Sequence, residues 1–576
     1  MACRCEAGMF LFSVFIIHFM KRIFIAASLA FAATLSFALP ARQGVWRILK
    51  LANGTEVRAS LQGDEFCHYW QAADGSAYVE AADGTYYVAA DKAALLKAGN
   101  ELRAKAYSAQ AAYAVKAPKA KAAAGTIGDK KALLILVSFP DKPFSEGATR
   151  DYFDRIANEE NFNDGDFKGS VHDYFKAQSM GKLNLSFDVV GPVEMPDRYR
   201  YYGANDAQGN DAHIGEMIYN ACQGVDGEVD FSKYDWDGDG KMDQVVVVYA
   251  GQGEAAGGEA NTIWPQEGYL SAQLSDQEPF TLDGVTIDKF AVSCELGLSG
   301  KLDGIGTLCH EFSHCFGLPD FYDRFMLDGS NYGMSVYSLM DYGNYMGNSF
   351  LPVHYTSYEQ MFCGWKQPVV LKNDTTVTNM KPLSEGGDAY IIYNDAHPDE
   401  YFLLENRQPT GWDAGLFGGG LLIIHVDYSK ETWDANQVNS SARQRCTVVH
   451  ADNSAARYYV EKNNESDVVG DLYPWNANNA LTNTSTPAAA LNNDNGSNGK
   501  LLGKSVTNIT RNADGTIGFK FWALPVSGIT SVNTVPATKA KAFYTIDGRY
   551  AGQDKEALAP GLYLQNGRKV VIDAKH

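Results

Sequence analysis

No Cys-x-x-Cys pair occurs in the chain, although it holds nine cysteines. That absence argues against a structural zinc ribbon or knuckle, whose ligands come at that spacing. Basic charge is also scarce: 49 Lys and Arg stand against 69 Asp and Glu, for a net charge of −20. Nowhere do the basic residues gather into a stripe that could displace counterions from phosphates, which argues against a nucleic-acid partner. Beyond residue 41 no apolar run is long enough to cross a bilayer, so no stable membrane span is expected.

What is present points to a large exported protein. At 576 residues the chain is too long for one compact core, and three or four domains are expected. Its 32 Tyr and 55 Gly favour a β-rich, loop-rich fold over a helical bundle. Residues 1–41 read as a targeting region: Met20-Lys21-Arg22, then an apolar stretch, then small residues near Ala38 and Ala41. The true start is placed at Met20. Residues 42–110 form short alternating strands, such as Ala77–Glu80 and Thr85–Val88. The stretch 109–130 is rich in Ala and Lys with no apolar period, so it reads as an exposed, cleavable linker. An ordered segment, a cleavable linker and then a new domain suggest a propeptide over 42–124. Cys67 reads as a core cysteine, with a thiolate cap on a metal as the alternative. Cys222, Cys294, Cys309, Cys315, Cys363 and Cys446 leave room for one or two disulfides.

The most informative stretch is 306–320, Gly-Thr-Leu-Cys-His-Glu-Phe-Ser-His-Cys-Phe-Gly-Leu-Pro-Asp. His310 and His314 are four apart, so on an α-helix both imidazoles leave from one face. Glu311 sits between them, where the general base of a zinc hydrolase belongs. Gly317 can end the helix in a left-handed turn, and Pro319 prevents its resumption. Asp320 then turns back as a third zinc ligand, with Asp323 as the alternative. A fourth position stays open, as in catalytic zinc sites. Cys309 and Cys315 flank the histidines at other helix angles and read as small buried residues.

Two further stretches carry chemistry. In Asp-Trp-Asp-Gly-Asp-Gly-Lys-Met-Asp (235–243), Asp235, Asp237, Asp239 and Asp243 fall at positions 1, 3, 5 and 9 of a calcium loop. Gly240 takes the sharp turn and Lys241 offers its carbonyl. Val246 stands where the closing Glu would be, and an apolar strand follows, so the loop reads as a structural Ca2+ site, with a solvated acidic turn as the alternative, and not as an EF-hand. Ser335–Gly343 reads as a tight turn beneath the metal, with the Met340 thioether below the histidines and the Tyr342 hydroxyl toward metal or substrate. From about residue 370, short strands separated by Asn, Asp and Gly clusters indicate a β-sandwich-like module.

HEFSHCFGLPDFYD, SLMDYG, DWDGDGKMDQVVVVYAGQGEA, ENRQPTGWD with GGGLLIIHVD, and TNTSTPAAALN together resemble the immune-inhibitor-A-like family of secreted bacterial zinc metallopeptidases, over roughly 125–525. The resemblance implies a metzincin-like catalytic domain, a propeptide, Zn2+ and usually Ca2+. It implies His310, His314 and Asp320 as zinc ligands, Glu311 as base, Met340 as the Met-turn and Tyr342 as an oxyanion partner. AFYTIDGR and GLYLQNGRKVV, near the C-terminus, resemble the sorting domain of type IX secretion substrates in Gram-negative bacteria, which implies a secretion-machinery partner and a secreted or cell-surface location. The expected fold is α+β. A signal peptide region (1–41) and a propeptide with linker (42–124) precede a zincin-like domain with a twisted sheet and active-site helix (125–370). A β-sandwich-like module (371–525) and a linker with a short β sorting domain (526–576) follow. Protein or peptide substrates are expected. The rival class is a non-catalytic adhesin or glycan-binding protein on the same scaffold.

Overall fold

The computed structural model describes residues 36–81, 84–101, 125–205, 211–272, 278–324, 331–456, 465–524, 542–545, 550–565 and 568–573. Most of the expected signal peptide, most of the Ala- and Lys-rich linker, and the Asp547-Gly548 and Asn566-Gly567 pairs lie outside these residues. The chain divides into two units, Met1–Pro525 and Val526–His576.

The first unit opens with a short strand, β1 (Ser36–Ala38). An antiparallel meander follows: β2 (Trp46–Lys50), β3 (Glu56–Asp64), β4 (Cys67–Ala72), β5 (Ala77–Glu80) and β6 (Tyr86–Val88). Leu49, Leu61, Trp70 and Tyr78 form its buried side and pack with Ala255 and Trp264 from beyond the meander.

The central sheet is built around β7 (Gly128–Ser138), whose apolar run is buried on both faces. Alternation sorts its side chains between two cores. Ala132, Leu134 and Leu136 pack with α1 (Arg150–Asn158) and α2 (Val171–Gln178). Leu133, Ile135 and Val137 pack with α3 (Ile214–Val225). Thr149 caps α1 through the Tyr152 N–H, and Ser170 and Asp173 form a capping box on α2. β8 (Leu183–Glu194), β7, β9 (Val245–Gln252) and β13 (Lys289–Leu296) run parallel. β10 (Gln266–Tyr269) is antiparallel to β13, and β1 is antiparallel to β10. The six-stranded order is β1-β10-β13-β9-β7-β8, and a small hairpin, β11 (Phe280–Leu282) with β12 (Val285–Ile287), lies between β10 and β13 in the chain.

The helix carrying the histidines, α4 (Gly306–Ser313), is buried along its whole length. It begins against segment 342–349. A Cβ on Gly306 would lie 1.9 Å from the Asn344 carbonyl oxygen, so only glycine lets the two backbones approach. Phe312 anchors the helix against Phe175, Phe187 and Trp236. The α-helix stops at Ser313, because the last turn, His314–Phe316, tightens to a 3-10 form before Gly317. α5 (Ser357–Phe362) starts at its Thr356 cap, just after His354.

The later strands form two sheets. β14 (Val369–Val370), β16 (Tyr390–Tyr393), β17 (Glu400–Arg407), β18 (Gly420–Asp427) and β19 (Cys446–Val448) make one. β15 (Thr375–Met380), β21 (Ile517–Trp522) and β20 (Ser505–Arg511) make the other. Phe402, Leu404, Leu421 and Ile423 face Val506, Phe519 and Phe521 between the sheets. Leu403, Leu422 and Ile424, on the opposite face, join the same buried cluster as α2 and α4. The five-stranded sheet therefore has two buried faces, which explains its long apolar runs. A helix of five residues, α6 (Lys430–Asp434), leaves β18.

Cys67, Cys222, Cys294, Cys309, Cys315, Cys363 and Cys446 are all free thiols, so none of the disulfides that the cysteine count allows is formed among the described residues. The second unit holds a four-stranded antiparallel sheet, order β23-β22-β24-β25, of β22 (Phe543–Thr545), β23 (Tyr550–Gly552), β24 (Gly561–Gln565) and β25 (Arg568–Ile572).

Candidate active site

Two histidines at helical spacing reach the same place only if each ring is held. The Nδ1 of His310 lies 2.8 Å from the Leu339 carbonyl oxygen, and that of His314 lies 2.7 Å from the Leu318 carbonyl oxygen. A carbonyl only accepts, so each Nδ1 carries the proton and each Nε2 presents a lone pair. Gly317 adopts φ +86, the left-handed turn expected after the helix. The chain reverses there and brings Asp320 back. Its Oδ1 lies 3.2 Å from the His310 Nε2 and 3.5 Å from the His314 Nε2. One ligand atom from each of the three residues falls within 4.8 Å of the others, and all three residues are buried. Asp323 is buried nearby but is not part of this trio.

The electrostatics suit a cation. Burial holds the His314 imidazole neutral, with its pKa pushed down to about 3. Burial opposes ionisation of Asp320, but His314, His310 and Arg324 outweigh it and bring its carboxyl down to about 2. The donor set is thus two imidazoles and one carboxylate, the chemistry of a zinc site. Glu311 is fully buried, and neither of its oxygens accepts a hydrogen bond. Burial first, then the charges of Asp320, Glu267 and Glu65, raise its carboxyl well above the usual range. An unengaged acid beside such a trio is a group held ready for protons.

Met340 is fully buried below the helix. Its N–H donates to the Ser338 Oγ (3.0 Å), and its carbonyl accepts from the Phe321 N–H (2.8 Å). With Leu339 bonded to His310, this turn is tied both to the helix and to the loop after Asp320. Ser338 is held in turn by Glu359 on α5 at 2.6 Å. Tyr342 is partly buried against the core at the start of the following 3-10 turn.

Of the expected calcium residues, Asp235, Asp237 and Asp239 converge. Asp243 does not join them. Its Oδ2 accepts from the Trp236 N–H at 2.6 Å, and burial pushes its carboxyl up to about 6. Asp235 accepts from the N–H groups of Gly238, Asp239 and Gly240 within the loop itself, and Lys241 donates its own N–H to Asp239. The Cys67 thiol donates to the Leu95 carbonyl at 3.7 Å and is not part of the His310–His314–Asp320 group.

Several residues around the trio carry no sequence motif. Arg324 lies 3.3 Å from the Asp320 Oδ2 and 2.6 Å from Glu65, on the loop between β3 and β4. Lys289 donates to the His314 carbonyl at 2.8 Å and faces the buried Glu267 of β10 at 3.5 Å. Tyr345 donates to the Pro40 carbonyl, and Arg42 pairs with Asp303 at 3.2 Å. Their only sequence signal is proximity to residues that cannot be placed without the fold.

Comparison with known proteins gives matches over the stretch that holds this site. Residues 118–367 match the family described as immune inhibitor A peptidase M6, catalytic domain. Pre-pro-metalloprotease PrtV of Vibrio cholerae serotype O1 is 25% identical over 285 residues, covering 42% of this chain and 31% of the relative. Immune inhibitor A of Bacillus thuringiensis subsp. alesti is 25% identical over 272 residues, covering 40% of this chain and 38% of the relative. The aligned part is therefore about a third of the length of these curated relatives. The stretch that carries the histidine helix, residues 118–367, is thus similar to the catalytic domain of the immune inhibitor A peptidase M6 family.

Proposed function

We propose that the protein is a secreted zinc endopeptidase that hydrolyses protein or peptide bonds. The observation that carries this reading is the buried convergence of His310, His314 and Asp320 beside an unengaged Glu311. The three would hold Zn2+, which supplies Lewis acidity toward a carbonyl and acidifies water. Glu311 takes a proton from the attacking water and returns it to the departing amine. Its raised proton affinity suits the second role. Tyr342 hydrogen-bonds the oxyanion of the tetrahedral intermediate. Met340 floors the site and keeps His310 and Asp320 at fixed separation.

The flanking segments fit a latent precursor. We read 42–124 as a propeptide with its linker. Support comes from the Glu65–Arg324–Asp320 chain of charges, which ties this segment to the loop that carries Asp320. The Vibrio relative is itself named a pre-pro-metalloprotease, which supports this reading. Residues 1–41 are read as the export signal, 371–525 as a β-sandwich-like module and 526–576 as a type IX sorting domain. Ca2+ is read into the 235–239 loop as a structural ion.

Metal analysis and casein digestion of the trimmed protein test this reading. Glu311→Ala should retain zinc and lose hydrolysis, whereas His310→Ala should lose zinc. An adhesin on this scaffold would instead bind mucin or polysaccharide and cleave nothing after trimming.

A further inference from the structure

The segment Trp433–Ser441 lies outside residues 118–367 and far from the histidine helix in sequence, yet it is bonded to the loop that carries Asp320. Asn436 is fully buried, and its side-chain amide grips Asp320 at two points. Its Oδ1 accepts from the Asp320 backbone N–H at 2.7 Å, and its Nδ2 donates to the Asp320 Oδ2 at 2.6 Å. Only one amide orientation allows both bonds, because the reverse would set NH2 against N–H and oxygen against carboxylate. We infer that Asn436 is a positioning residue for the third metal ligand, so that the metal centre is completed by the chain beyond the family's catalytic domain. This inference rests on the reading of Asp320 as a ligand.

The geometry assigns the two Asp320 oxygens different tasks. Oδ1 faces the two imidazole Nε2 atoms, at 3.2 and 3.5 Å. Oδ2 faces Asn436, with Arg324 as a second partner at 3.3 Å. A carboxylate held at its backbone and at one oxygen cannot swing its other oxygen toward Arg324. The ligand is thereby fixed as a one-oxygen donor. Hydrogen bonds behind a ligating carboxylate orient it and set its strength as a donor.

Asn436 is itself rigidly mounted. It follows α6 at φ +50, a conformation that Asn tolerates better than most residues, and its N–H donates to the Trp433 carbonyl. Trp433 packs on Tyr358, which packs on Phe321, the neighbour of Asp320. Asn439 repeats the device one residue along, donating to the Phe321 carbonyl at 2.7 Å and bonding Cys446 on β19. Two asparagines thus fasten consecutive residues of the ligand loop to the five-stranded sheet.

The test is zinc affinity of the full chain by chelator competition, with the visible spectrum of the cobalt-substituted protein and the melting of the metal-free protein as companions. Asn436→Gly keeps the backbone angle and removes both bonds. It should raise the zinc Kd about 10–100-fold, alter the cobalt spectrum and leave metal-free melting close to wild type. Asn436→Asp keeps the acceptor for the Asp320 N–H but sets a carboxylate against Oδ2, and should weaken zinc at least as much. If Asn436→Gly fails to fold, Asn436→Asp decides the question. Asp320→Ala separates the two readings. Wild-type zinc affinity in Asp320→Ala would overturn the ligand assignment. Loss of zinc in Asp320→Ala, with wild-type affinity and spectrum in the deciding Asn436 variant, would overturn the inference about Asn436.

Discussion

Arg407 on β17 offers a quantitative test of how the second sheet supports the site. Its guanidinium is fully buried and uses every donor. Nε and one terminal nitrogen hold Asp413 at 2.8 and 2.5 Å. The same nitrogen donates to the His354 carbonyl at 3.0 Å. The other bonds the Tyr337 carbonyl at 3.0 Å, one residue before Ser338, and Glu405 at 3.1 Å. In Arg407→Met the side chain still fills the space, but Asp413 keeps only the His354 N–H and Glu405 only the Ser357 N–H among the hydrogen bonds described. Breaking a buried pair this way costs about 3–5 kcal/mol. The cost should depend on pH. Burial already raises the Asp413 carboxyl despite Arg407, and without the guanidinium it rises further. A carboxyl raised in the folded state is a penalty above its folded pKa that fades as pH falls and the group protonates. Urea unfolding of the metal-free chain, followed by Trp fluorescence, should therefore show a larger deficit at pH 8 than at pH 5. A deficit under about 1 kcal/mol, or one flat with pH, would refute the argument that the pair is an interdependent buried network.

Other consequences can be measured directly. Gly306→Ala forces the helix start away from Asn344, and should cost about 1–3 kcal/mol in unfolding free energy and reduce peptide hydrolysis as the histidines shift. Burial works against protonating His68, but its ion pair with Glu254 at 3.1 Å prevails and raises it to about 9. Its stabilising contribution is complete below about 6.5 and is lost as pH rises through about 9. Segment 36–101 should thus be digested faster at pH 9.5 than at pH 7, and His68→Gln should flatten the difference. Limited trypsin cleavage within 109–130 should raise peptide hydrolysis if the N-terminal segment is inhibitory, which a casein assay before and after cleavage reads.

The parts of the site legible in the sequence are those set by local geometry. His310 and His314 needed only helical spacing, and Gly317 needed only its freedom at positive φ, which the structure uses. The run Ala132–Val137 has no polar residue, as a strand buried on both faces requires. What the sequence hid depends on long-range packing. Asn436 is 116 residues from Asp320, and nothing in its neighbourhood marks a polar side chain aimed at a ligand. Arg407 reads as one more charged residue until both of its carboxylate partners are seen to be buried. Asp243 fits a calcium spacing, but a tertiary position that buries its carboxylate turns it to the Trp236 N–H instead. The free cysteines show the same limit: a count permits bridges, while only the fold sets which thiols meet.

The central claim is that Glu311 handles the protons of peptide hydrolysis beside a metal held by His310, His314 and Asp320. Glu311→Ala in the trimmed protein tests it, with zinc content and casein cleavage measured on the same sample. The account predicts one equivalent of zinc retained and hydrolysis lost. Casein cleavage at the wild-type rate, with that zinc in place, would contradict it.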